Sequence, residues 1–187
     1  MNRVYAGCRE SGLPVLLHTG DYRFDFSNPA QLVNVLEKFP DLQVIGTHMG
    51  GWSVYAEAME RLPGYPNIVV DCSSSFCDLT IEETMAIFRA FGTERILYGT
   101  DFPIIVPGFD MDYFLRLPLT ETEREDILWR NAVKAYNLSP RGGNKKPRLP
   151  IIGAGGVLFF LSLRLFAEQK DTSLVRGRLF RILRIWV

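Results

Sequence analysis

Histidine is scarce in this chain of 187 residues, which has only His18 and His48. Cysteine is nearly as rare. Cys8, Cys72 and Cys77 are odd in number and form no Cys-x-x-Cys pair, which argues against a disulfide framework and against a zinc cluster built on cysteine. Reduced, buried thiols are the expectation. The opening stretch, MNRVYAGCRESG, lacks the apolar core of a secretory signal, so the expected setting is cytoplasmic. Net charge is formally zero, but the balance is uneven. Ten Lys and Arg residues and two acids follow Pro140, leaving +8 there. The preceding body holds 11 basic and 19 acidic residues, or −8. An acidic body offers no electrostatic footprint for nucleic acid.

What is present is a repeated unit. Four short apolar runs end in small or polar residues: LPVLLHTG (13–20), LQVIGTHMGG (42–51), NIVVDCSSS (67–75) and RILYGTDFP (95–103). Continuous apolar runs of this length suit strands buried on both faces, as in a parallel sheet. Helical patterns lie between and after them at 29–38, 54–62, 81–91 and 120–137. Pro29 suits a first helical turn, and Thr80 with Glu83 three positions on reads as a capping box. Strand and helix alternate four times, which predicts an α/β parallel sheet with right-handed crossovers. Such a sheet can be doubly wound and open, or part of a (β/α)₈ barrel. In both, working groups gather at the C-terminal ends of the strands.

Three polar residues stand at such ends: His18, His48 and Asp101. Each alone has a structural explanation as a hydrogen-bonded core histidine or a turn-capping aspartate. Together they place both histidines and a carboxylate at equivalent positions of repeated units. Imidazole and carboxylate are the usual ligand set for zinc, manganese or iron. A shared metal or catalytic centre is therefore expected.

The stretches LLHTG, THMGG and YGTDFP, followed by NAVKAYNL, resemble the amidohydrolase-related metal-dependent hydrolases. The branch that includes aminocarboxymuconate-semialdehyde decarboxylase-like enzymes is the one they are similar to. The resemblance covers about residues 1–138. It implies the C-terminal half, about four βα units, of a metal-dependent-hydrolase TIM (β/α)₈ barrel. It implies His18 as a metal ligand and Asp101 as a metal ligand that also handles a proton. His48 is implied as a catalytic residue or a ligand to a second metal. The implied cofactor is a divalent ion, zinc first, with manganese or iron as alternatives. The implied reaction is hydrolysis of a C–O or C–N bond of a small organic substrate by metal-activated water. Decarboxylation of an aromatic or unsaturated carboxylic acid is the alternative, and an inactive fragment serving as an interaction module is the alternative of another class. Trp52 and Phe102 are candidate substrate-binding walls.

The chain departs from the family pattern in one respect. Members carry a His-x-His pair on the first strand, and this sequence has none. The expectation is therefore a half barrel lacking strands one to four. Two open sheet edges would follow, inviting a homo-oligomer or a complementing N-terminal half.

Residues 139–148, SPRGGNKKPR, read as a basic Gly/Pro linker. Residues 149–187 form a non-homologous apolar and basic tail. Its GAGG has Leu158 where a dinucleotide loop needs a third small residue, so that motif is not indicated. The tail's apolar run is short for a span. Its last segment alternates arginine with bulky apolar residues, a pattern that would suit a membrane surface or a partner groove, or would cover the barrel's open edge.

Overall fold

A computed structural model describes residues 2–138. The linker expected at 139–148 and the tail expected at 149–187 lie outside the described residues.

Four strands form one sheet in the order β1-β2-β3-β4, each parallel to the next. They are β1 (Val15–Leu17), β2 (Val44–Gly46), β3 (Ile68–Asp71) and β4 (Ile96–Leu97). Register runs Leu17 to Gly46 to Val70 to Ile96 across the sheet. Spatial order equals sequence order with no reversal, which is the arrangement of a barrel wall rather than of a doubly wound sheet. Val44, Ile45, Ile68, Val70 and Ile96 are fully buried, as the unbroken apolar runs require.

The helices follow the amphipathic patterns. They are α1 (Asn2–Glu10), α2 (Pro29–Lys38), α3 (Tyr55–Arg61), α4 (Ile81–Phe91) and α5 (Pro107–Arg116). Leu32 and Leu36 of α2 and Ile87, Phe88 and Phe91 of α4 form the buried stripes that seat them. The α4 capping box is present in full: Thr80 Oγ1 accepts from Glu83 N–H, and Glu83 accepts from Thr80 N–H. Such a cap contributes about 1 kcal/mol.

The long helix expected over 120–137 divides into α6 (Glu121–Glu125), a π-helical turn at Asp126–Arg130, and α7 (Asn131–Ala135). Tertiary bonding accounts for the break. The wide turn presents Ile127 O to Tyr98 N–H at 3.0 Å, and Asn131 Nδ2 donates to Thr93 O and Ile96 O, both at 2.8 Å. The turn thus covers the outer side of β4, so the expectation of two open edges is half right.

Among the described residues, no strand pairs with the outer side of β1. Leu16 of β1 is 54% exposed, and Leu13, two residues before the strand, is 57% exposed. An unpaired edge carrying bare leucines recruits another chain. Light scattering at micromolar concentration should therefore report a mass above the 21.3 kDa of one chain. Leu16→Lys should return it to the monomer value. A monodisperse monomer for the parent would remove this expectation.

Candidate active site

At the C-terminal end of the sheet the backbone leaves each strand sharply. This is why the strands are shorter than their apolar runs. His48, Met49 and Gly50 take φ values of +56°, +58° and +77°, Ser74 takes +49°, and Asp101 takes +62°. Non-glycine residues adopt this region at a cost of order 1–3 kcal/mol each, and such residues concentrate where side chains must be aimed. The glycines beside them have a local role. A Cβ at Gly50 would come 2.9 Å from Leu62 Cδ1 and 3.1 Å from Val70 Cγ1. Gly50→Ala should lower unfolding free energy by about 1–3 kcal/mol in a urea titration. An unchanged midpoint would show that the His48 turn tolerates a side chain.

The ends of β1 and β2 are tied together. Thr19 Oγ1 donates to Thr47 O, and Trp52 N–H donates to Thr19 O at 2.8 Å. This tie brings the two histidines into contact: His48 Nε2 lies 3.0 Å from His18 Nδ1, with the rings edge-on at 4.9 Å between centroids. His18 is exposed, whereas His48 is 6% exposed.

Behind His48 stands a buried polar group that the sequence reading did not single out. Asp71, at the end of β3, accepts at Oδ1 from His48 N–H (3.1 Å), Ser73 N–H (3.0 Å) and Ser73 Oγ–H (2.5 Å). The Nδ1 of His48 lies 2.9 Å from Ser73 O and 3.1 Å from Ser73 Oγ. Burial pushes the Asp71 carboxyl up, and the Ser73 and His48 donors work against that shift. The available signal was VVDCSSS itself, a carboxylate and small hydroxyls directly after a buried strand.

Asp101 sits on the same rim but is engaged elsewhere, accepting from Ser74 Oγ at 2.8 Å. The structure therefore pairs His18 with His48 rather than with Asp101. Trp52 is half-buried, with the Arg23 guanidinium 5.8 Å from its ring, and Phe102 is 55% exposed. A hollow of about 200 Å³ borders His18, lined also by Tyr5, Leu17, Phe26, Leu32 and Val35, and neither Trp52 nor Phe102 lines it.

All three cysteines are free, and only Cys72 is buried. Burial raises its thiol well above the ordinary range, so it is inert as a nucleophile. Cys8 is half-buried and Cys77 exposed, against the expectation of three buried thiols.

The donor types suit a divalent ion, but the number falls short. Among the described residues no group of three or more His, Cys, Asp or Glu side chains is gathered to hold a metal. Catalytic zinc sites usually have three protein ligands. This chain's own residues fit an ion only as a partial set. No helix among the described residues is long and apolar enough to cross a membrane.

A family model described as Amidohydrolase matches residues 2–138. Over 123 residues, 56% of this chain and 30% of the relative, the sequence is 26% identical to 2-amino-3-carboxymuconate-6-semialdehyde decarboxylase of Caenorhabditis elegans. It is 25% identical over 124 residues to gamma-resorcylate decarboxylase of Polaromonas sp., covering 56% of this chain and 37% of that one. The structure matches an uncharacterised TIM-barrel protein of Bordetella bronchiseptica with a TM-score of 0.62 and 28% identity, over 72% of this chain and 49% of that one. The chain spans about a third of the length of these curated relatives and about half of the solved structure.

Proposed function

The chain belongs to the amidohydrolase family, and on that premise we propose that it carries the His18, His48 and Asp101 side of a metal-dependent decarboxylase site. The substrate class is a small aromatic or unsaturated carboxylic acid. The observation that carries the reading is the meeting of His18 Nδ1 and His48 Nε2 at 3.0 Å on the C-terminal rim. Two relatives that bear decarboxylase names favour carbon dioxide release over the hydrolysis expected first from the motifs.

The residues divide as follows. His18 and Asp101 are the side chains that would hold a divalent ion, with its other positions filled by water or another polypeptide. When bound, such an ion supplies positive charge for the substrate's anionic oxygens. His48 handles the proton. In decarboxylation the bond to the carboxyl carbon breaks, its electron pair stays on the substrate carbon, and that carbon then takes a proton. His48 is held from behind by Ser73 at Nδ1, so its Nε2, on the rim side beside His18, is the nitrogen that would take a proton from water and pass it to that carbon.

The test is carbon dioxide release from a panel of hydroxybenzoates and unsaturated dicarboxylates, titrated with manganese, zinc and iron. Hydrolysis of esters, lactones and amides is measured in parallel. Carbon dioxide release that appears only with added metal is the expected result. Hydrolysis without carbon dioxide would return the site to the hydrolase reading. Silence in both assays across all metals would favour an interaction module.

A further inference from the structure

We infer that Asp71 and Ser73 are positioning residues that hold His48 in one tautomer, with the proton on Nδ1 and the lone pair of Nε2 facing His18. The inference rests on the role given to His48 above, but it follows from hydrogen-bond bookkeeping alone.

The carbonyl oxygen of Ser73, 2.9 Å from His48 Nδ1, can only accept. The Ser73 hydroxyl has a single proton. Asp71 Oδ1 lies 2.5 Å away and already accepts from the backbone N–H groups of His48 and Ser73, so it is the acceptor here as well and that proton goes to Asp71. The hydroxyl oxygen, 3.1 Å from Nδ1, is therefore left as a second acceptor. Both groups facing Nδ1 demand a proton there. In the neutral ring Nε2 then carries the lone pair, and His18 Nδ1, at 3.0 Å, is the donor that meets it. His18 Nε2 is in turn left bare, in the state a metal ligand needs.

Asp71 holds the backbone as well as the hydroxyl. The same Oδ1 accepts from His48 N–H at 3.1 Å and from Ser73 N–H at 3.0 Å. One carboxylate oxygen thus binds the residue that leaves β2 to the residue that leaves β3. It also secures His48 at φ +56°, a conformation the residue would not choose unaided. Burial makes the arrangement firm, since Asp71, Ser73 and His48 are 8%, 4% and 6% exposed. Water competes poorly for these groups.

The chain's histidine content makes the test direct. With two imidazoles, a long-range nitrogen–proton correlation spectrum of the histidine-labelled protein contains two ring systems, and His18→Gln identifies them. The spectrum is recorded with chelator and without substrate, so its outcome is independent of any decarboxylase activity. For His48 the expected pattern is a protonated-type Nδ1 and a bare-type Nε2. Ser73→Ala should shift the tautomer ratio toward Nε2–H by about five- to tenfold, the loss expected for one hydrogen bond. Ser73→Thr, which keeps the hydroxyl, should restore the parent pattern at an unchanged backbone spectrum. A parent His48 with its proton on Nε2 would overturn the inference even if every variant failed to fold. An unaltered ratio in a folded Ser73→Ala protein would overturn the role given to the hydroxyl. If the tautomer holds and no carbon dioxide is released, the proposed reaction fails and the positioning stands.

Discussion

Asp101→Asn should reduce metal-dependent carbon dioxide release by about 10²-fold or more, because an amide binds metal poorly and cannot take up a proton. The substitution is informative because little else should change. Asp101 adopts φ +62°, and asparagine is among the residues that tolerate this left-handed region, so the turn out of β4 is preserved. Its partner, Ser74 Oγ, can bond to the amide as it does to the carboxylate at 2.8 Å. The side chain is exposed, so no core contact is removed. Turnover measured across a metal titration separates two contributions. If Asp101 only holds the ion, high metal concentration should recover much of the rate. If it also moves a proton, the loss should persist at saturation. A variant as active as the parent at every metal concentration would remove Asp101 from the site.

The alternation of strands and helices could be read from the sequence because burial on both faces leaves a clear pattern. α2 and α4 match their expected ranges of 29–38 and 81–91, where Pro29 and the Thr80–Glu83 box mark the starts. α5 was not anticipated. In α5, Pro107 at the first position was a usable signal, but Gly108 follows it and obscures the periodicity. The π-helical turn at Asp126–Arg130 was beyond reach, because its cause is the pairing of Ile127 O with Tyr98 N–H, a contact between distant segments. The site divides along the same line. His18 and His48 stand out in the sequence because they are rare and end equivalent strands. That they face each other depends on the Thr19–Thr47 and Thr19–Trp52 ties, which no spacing rule reveals. Asp71 and Ser73 were passed over because serine and aspartate after a strand are common turn formers. Only the three bonds converging on one Asp71 oxygen distinguish them from an ordinary turn.

The Asp110→Asn variant should be more stable than the parent at pH 8 by roughly 2–4 kcal/mol and nearly equal to it at pH 4. Asp110 lies on α5 and is 1% exposed, and its Oδ2 is buried without a hydrogen-bond partner. Burial alone pushes its carboxyl up to about 7, from 3.8. Below about pH 4 the carboxyl is protonated both folded and unfolded, so it has no influence on the pH dependence. Between about 4 and 7 the unfolded chain gives up this proton while the folded chain keeps it. Stability therefore falls as pH rises through that window, and above it the full penalty of a buried charge remains. Asparagine has nearly the shape of the protonated acid and cannot ionise, so it should match the parent in acid and escape the penalty in base. The carboxyls of Asp21, Glu83 and Glu123 sit below their ordinary range, each chiefly through hydrogen bonds, so their stabilising contributions fade in acid in both proteins. The quantity to compare is therefore variant minus parent at each pH, from paired urea titrations. A difference that stays constant between pH 4 and pH 8 would mean that Asp110 finds a partner or water in solution, and that the core beneath α5 is not dry.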